Sequence, residues 1–249
     1  MTNVISGDAM SLSVFNDIYQ QCEQISPYLK GEILVSDAPD SSLISSQQSN
    51  LQNIRSLHQS IRQQSPEAGQ AYWLTRSWDL LTWQPLYVAI TAIYHCQALP
   101  DLCNMSQRHQ DGVVAGFCFS CTDCSTGEYH QLVSAAGQQL LTIFEHFRQE
   151  LDQSVRCRPR FVEHLIADAL LNRLLLLQQT NPEFSTYFIR QQAALWLNAL
   201  SLPDEHLKKI QLSPITNQLV FTRSSCCSVY KTVTGQKCAN CPKLKQKSV

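Results

Sequence analysis

Four cysteines crowd the C-terminal part of the sequence: Cys226-Cys227, ten residues, then Cys238-Ala-Asn-Cys241, with Pro242 next. A Cys-x-x-Cys pair sets two sulfurs on one tight turn, able to grip one metal from the same side. The vicinal pair supplies two more from an adjacent segment, and Gly235 between them helps the chain fold back. Four thiolates suit either a structural zinc ion or an iron–sulfur centre. Zinc usually takes two Cys-x(2–4)-Cys knuckles, a spacing that vicinal cysteines fit poorly. The segment around them is polar and lysine-rich, so it cannot bury four thiols among apolar side chains.

Charge is distributed unevenly. From Arg223 onward the chain holds six of its 19 basic residues (Arg223, Lys231, Lys237, Lys243, Lys245, Lys247) and none of its 20 acidic ones, so residues 1–222 carry a net −7. The plainer reading of such a stretch is a solvated basic face. An iron–sulfur reading gives the charge a task. An oxidised [2Fe–2S] core with four thiolates is a dianion, and reduction adds one more negative charge. Nearby Lys and Arg would stabilise the reduced form and raise its potential.

The pattern Arg223-x-x-Cys226-Cys227-x-x-Tyr230, followed by Cys238-x-x-Cys241-Pro242, resembles the FhuF family of siderophore-iron reductases. The ten residues between Cys227 and Cys238 agree with that family's signature. The block from Trp78 to Tyr87 is loosely similar to the family's helical region, whereas residues 1–60 match no motif. The resemblance implies a [2Fe–2S] centre held by Cys226, Cys227, Cys238 and Cys241. It also implies a cytoplasmic protein that passes one electron to siderophore-bound Fe(III) and releases Fe(II). The sequence has no glycine-rich dinucleotide loop. Electrons are therefore expected from an external donor, a ferredoxin or a flavin reductase. Arg223, Lys231 and Lys237 are the candidates for attracting an anionic chelate or an acidic ferredoxin. The alternative of a different class is a non-redox helical binding protein stapled by a four-cysteine zinc site.

Two other groups of metal-ligand residues compete for attention. Cys118-x-x-Cys121-x-x-Cys124 starts like a bacterial four-iron motif, but the run continues Ser125-Thr-Gly-Glu128 without the fourth cysteine and proline. Cys118 is expected in a strand, as an ordinary buried thiol. The seven histidines (His58, His95, His109, His130, His146, His164, His206) show no pair at helical ligand spacing, and each is expected to be a surface or hydrogen-bonded residue.

The elements that must carry these residues are mostly helical. With 249 residues, 44% hydrophobic and 16% charged, the chain is neither disordered nor a polyelectrolyte, and its balanced charge gives no case for nucleic acid. Helical periodicity is expected over 12–30, 54–64, 134–153, 159–179 and 184–200. Residues 36–53 read as a polar loop or poorly ordered connection. The aromatic block 68–99 holds Pro85 and predicts two helices or one bent one. Its aromatics read first as core and second as the wall of a ligand site. Residues 111–120 and 128–133 predict a β-hairpin. A short helix is expected over 204–210, and a last strand over 218–222 that feeds the cysteines. The expected class is α+β, mainly helical with a small antiparallel sheet and a C-terminal cysteine-ligated segment. The expected division is an N-terminal helix and polar linker (1–60), a body (61–222) and a cluster-binding segment (223–249). No signal peptide is visible, and the most apolar stretch, Leu165–Leu177, is interrupted by Asp168, Asn172 and Arg173. No transmembrane segment is expected, a reading compatible with a peripheral position at the inner membrane.

Overall fold

A computed structural model describes residues 3–5, 9–34 and 40–244; Lys245 and Lys247 of the basic stretch lie outside them. The elements in chain order are β1 (Asn3–Ile5), α1 (Ala9–Ile25), β2 (Gly31–Ile33), β3 (Leu43–Ser45), α2 (Leu51–Gln64), α3 (Gln70–Cys96), β4 (Ala98–Pro100), β5 (Met105–Gln110), β6 (Val113–Phe119), β7 (Cys124–Thr126), α4 (Tyr129–Asp152), α5 (Pro159–Thr180), α6 (Thr186–Ala199), β8 (Ile210–Leu212) and β9 (Leu219–Phe221). The class is α+β, mainly helical, as the periodicity predicts. The sheets are small. A four-stranded one has the order β2-β6-β5-β3, with β2 parallel to β6 and the other pairs antiparallel. A three-stranded antiparallel sheet has the order β1-β7-β4, and β8 pairs with β9. Among the described residues no helix is long and apolar enough to cross a membrane.

Helix α3 is the spine, packed by α1, α2, α4 and α5. It runs unbroken for 27 residues with Pro85 inside it. Proline has no N–H to give the carbonyl four residues back. Here the orphaned carbonyl is that of Leu81, and the side chain of Gln107 from β5 donates to it at 2.8 Å. The helix therefore tolerates its proline, and a buried polar glutamine in a strand has its reason. Trp78, Trp196, Phe15 and Phe147 are among the large side chains fully enclosed in the core that this packing builds. Across it, Tyr94 of α3 donates to Gln192 of α6 at 2.6 Å and accepts from the Trp196 indole at 3.0 Å.

The expected hairpin exists but pairs differently. Val113–Phe119 turns back onto the preceding Met105–Gln110, through a two-residue turn at Asp111 and Gly112, both left-handed at φ 52° and 77°. Residues 129–133, expected as the second strand, open helix α4. Of the polar stretch, residues 36–39 lie outside the described residues, and 40–53 are more fixed than their composition suggests. The carboxylate of Glu150, nearly buried on α4, accepts the Asn50 backbone N–H at 2.8 Å and the Asn50 side-chain amide at 2.7 Å. The Asn50 amide also donates to the carbonyl of Ser45 in β3.

Helices α4 and α6 touch backbone to backbone at Gly137. A Cβ there would lie 2.5 Å from the Ala199 carbonyl oxygen. Gly137→Ala is expected to cost about 1–3 kcal/mol through overpacking. Ser134→Ala, on the exposed face of the same helix, is expected to stay within about 0.5 kcal/mol. Urea denaturation of the two variants checks this; equal midpoints would contradict the close approach.

Candidate functional site

Helix α5 carries the anchor for the cysteines. Asp168 and Asn172 stand one turn apart and so share a face. The Asp168 side chain has no exposed surface. One of its oxygens accepts the backbone N–H of Ser224 at 2.7 Å. The other accepts the Ser225 N–H at 2.8 Å and the Ser225 hydroxyl. Arg223 stands beside it, Nε 3.5 Å away. A buried carboxylate needs this many donors to persist. Asn172 accepts from the Asn240 side chain at 3.2 Å, and the Asn240 carbonyl accepts the Arg223 N–H at 3.0 Å. One helix face thus fixes the residues before Cys226 and the turn between Cys238 and Cys241. That turn is closed by the Cys241 N–H on the Cys238 carbonyl, 3.0 Å.

The ten residues between the cysteine pairs fold tightly. Ser228, buried, takes a left-handed conformation (φ 57°), and a short 3-10 helix follows at Val229–Lys231. At Gly235 the chain returns so close to Val229 that a Cβ would sit 1.8 Å from its carbonyl oxygen. Only glycine fits there, in agreement with the fold-back expected of Gly235. The Val233 N–H is taken by the Glu67 carboxylate at 3.0 Å. A segment without acids of its own thus docks on two acids of the body, Asp168 and Glu67.

The fold-back brings the sulfurs of Cys227 and Cys238 to 3.9 Å. Two thiolates on one tetrahedral metal, at about 2.3 Å each, stand about 3.8 Å apart. Cys226 and Cys241 are the chain neighbours of this pair, Cys226 beside Cys227 and Cys241 one turn beyond Cys238. Among the described residues no three His, Cys, Asp or Glu side chains converge as a set on one metal position. The structure therefore brings Cys227 and Cys238 together and does not gather Cys226 and Cys241 with them into one set. All four are free thiols, Cys241 buried and the others half-buried. Burial first, then Cys227, pushes the Cys238 thiol up to about 11. Cys238 is thus held protonated without a cation, whereas a bound metal would replace that proton. The donor set and its closest spacing suit a thiolate-bound metal or [2Fe–2S] group.

Cys227 and Cys238 also line a cavity of about 380 Å³. Tyr72, Trp83 and Tyr87 of α3 contribute aromatic faces to it, and Asn172 and Arg223 polar ones. An Arg76–Asp79 pair at 2.8 Å joins the lining. Behind Tyr87 the buried guanidinium of Arg173 lies 5.0 Å from the ring centroid. Trp78 also lines the cavity but is almost wholly buried in the core, while Tyr72, Trp83 and Tyr87 are only partly buried. Its size is that of an ordinary small-molecule site.

Of the basic candidates, Arg223 is in the cavity, while Lys231 and Lys237 are exposed and outside its lining. Lys237 reaches the Lys243 carbonyl at 3.4 Å. Lys243, not singled out from sequence, donates to the Tyr230 hydroxyl at 2.7 Å and lies over its ring. Cys118 and Cys124 are buried in β6 and β7, and Cys121 accepts a weak hydrogen bond from the Asn104 amide, so this run is not gathered into a metal-holding set. Sequence reading noted Asp168 and Asn172 only as interruptions of an apolar helix. Their spacing of four within that run was the signal that they share a partner. No protein-family model matches this chain, and no solved structure matches it.

Asp168→Asn turns a donor toward N–H groups that need an acceptor and leaves Arg223 without its counter-charge. It is expected to lower stability by about 3 kcal/mol and to release the cysteine segment. Amide hydrogen exchange at Ser224 and Ser225 checks this; protection equal to wild type would contradict the anchoring role.

Proposed function

We propose that this protein is a one-electron reductase of ferric siderophores, similar in its cysteine segment to the FhuF family, working in the cytoplasm with a [2Fe–2S] group on Cys226, Cys227, Cys238 and Cys241. The observation that supports this best is the pair of sulfurs 3.9 Å apart in the lining of an aromatic cavity. The spacing alone suits a structural zinc equally well. A structural ion needs no open cavity beside its ligands, so the cavity favours redox work at this site.

When bound, the group would supply electrons singly. The chain's own residues do the rest. Asp168 fixes the backbone next to Cys226, and Arg223 offsets negative charge at the sulfurs. Tyr72, Trp83 and Tyr87 bind the organic shell of the chelate and displace water from it. The bound chelate is then held against the cysteines, so the electron crosses a short gap. Ferric iron is a hard cation held by anionic oxygens. One electron makes it ferrous, those oxygens hold it less tightly, and they recover protons from solvent. The balance is one electron in from a reduced ferredoxin or reduced flavin and one out to the substrate iron. Lys231 and Lys237, exposed and outside the cavity, suit the acidic face of such a donor.

Protein purified without oxygen is expected to contain about two iron and two sulfide per chain. Cys238→Ser and Cys241→Ser should abolish or badly distort its visible spectrum. A colourless protein with one zinc would favour the non-redox reading. Tyr72→Ala is expected to raise KM for a ferric siderophore about tenfold, about 1.4 kcal/mol, with the visible spectrum unchanged. An unchanged KM would remove the cavity from substrate binding.

A further inference from the structure

A second cavity, of about 470 Å³, adjoins the start of the cysteine segment. His164 of α5 lines it, together with Glu205 and His206 of the 3-10 helix Asp204–Lys209, and Thr222 and Ser224. These histidines are 42 residues apart in sequence, which hides them from any spacing rule. In the fold their rings are edge to face, with centroids 5.3 Å apart. Each keeps one buried ring nitrogen without a hydrogen-bond partner, Nδ1 of His164 and Nε2 of His206. His206 is 98% buried, as its exposure of 2% shows. An unpartnered ring nitrogen at such a position costs free energy unless something occupies it.

We infer that His164 and His206 form a two-imidazole site for a divalent first-row transition-metal ion. An imidazole bound at about 2.0–2.1 Å through nitrogen places its centroid about 3.2 Å from the metal, and two of them on a tetrahedral ion stand about 5.2 Å apart. The observed 5.3 Å matches that arrangement. The other nitrogen of His206, Nδ1, lies 3.2 Å from the Ser224 hydroxyl. With its proton given there, Nε2 presents a lone pair, the way a metal-bound histidine is usually held from behind. Burial, then the neighbouring His164, lowers the His206 pKa, in the direction of the neutral ring. Two imidazoles select borderline ions such as Fe2+, Co2+ or Zn2+ over Mg2+ or Ca2+. Glu205 lines the same cavity but does not converge with the two rings as a third ligand, so water would fill the remaining positions. Lys208 and Lys209 also line the cavity and oppose a cation, which limits affinity.

The site is independent of the reductase reading: its ligands are outside the cysteine segment. It would, however, tie α5 to Ser224, two residues before Cys226, at the point that Asp168 already holds.

Co2+ titrated without oxygen into the purified full-length chain, followed by proton NMR, tests the inference. Imidazole N–H protons on paramagnetic Co2+ give strongly shifted signals that vanish in D2O, whereas cysteine β-protons give shifted signals that persist. Two exchangeable shifted signals are expected. His164→Ala, at a half-buried helical position, should weaken Co2+ binding at this site at least tenfold and remove them, with circular dichroism unchanged. His206→Gln should do the same. Exchangeable signals surviving His164→Ala would overturn the inference. So would Co2+ yielding only persistent signals, or none, which would mark a histidine pair bridged by water alone.

Discussion

A carboxylate with no exposed surface is a liability that a fold must satisfy completely, and Asp168 is satisfied almost entirely by one short run of chain. It takes two consecutive backbone N–H groups and a hydroxyl from Ser224 and Ser225, with Arg223 alongside. Removing any of these donors leaves a buried charge short of partners, so the cysteine segment can dock in only one register. The C-terminal stretch has no acid, and the body supplies Asp168 and Glu67 to hold it.

That docking decides what the thiols face. Cys227 and Cys238 are turned together by Ser228 and Gly235, and the same contact surface places them at a cavity bounded by α3 and α5. The aromatic side chains of α3 are available there because the helix is not broken at Pro85. Gln107 replaces the donor that proline lacks, so Trp83 and Tyr87 stay on one continuous helix. Aromatic faces and the Cys227 and Cys238 sulfurs thereby line one cavity. This is the physical content of the proposal that the protein passes single electrons to a chelated ferric ion.

The long helices were legible because each repeats its apolar positions over four or more turns, as α4 does through Leu140, Phe144 and Phe147. The close approach of Cys227 and Cys238 was legible because thiols on two adjoining turns need no knowledge of the rest of the fold. Strands such as β4 and β7 were not, since three residues are too few to carry an alternation. Strand β5 escaped notice because its inward positions include Gln107 and His109, polar residues that a hydrophobic pattern counts as outward. Asp168 looked like a flaw in an apolar helix because its partners lie 56 and 57 residues away. The His164–His206 contact is likewise a product of tertiary packing alone.

The account stands on an electron leaving the cysteine segment for iron held in the neighbouring cavity. The most direct measurement is anaerobic stopped-flow mixing of the chemically reduced protein with a ferric siderophore, following the visible band of the protein. The account predicts reoxidation whose rate saturates with chelate concentration, with one Fe(II) formed for each electron lost. A protein that carries no reducible chromophore, or one whose reduced band is untouched by the ferric siderophore, would contradict it.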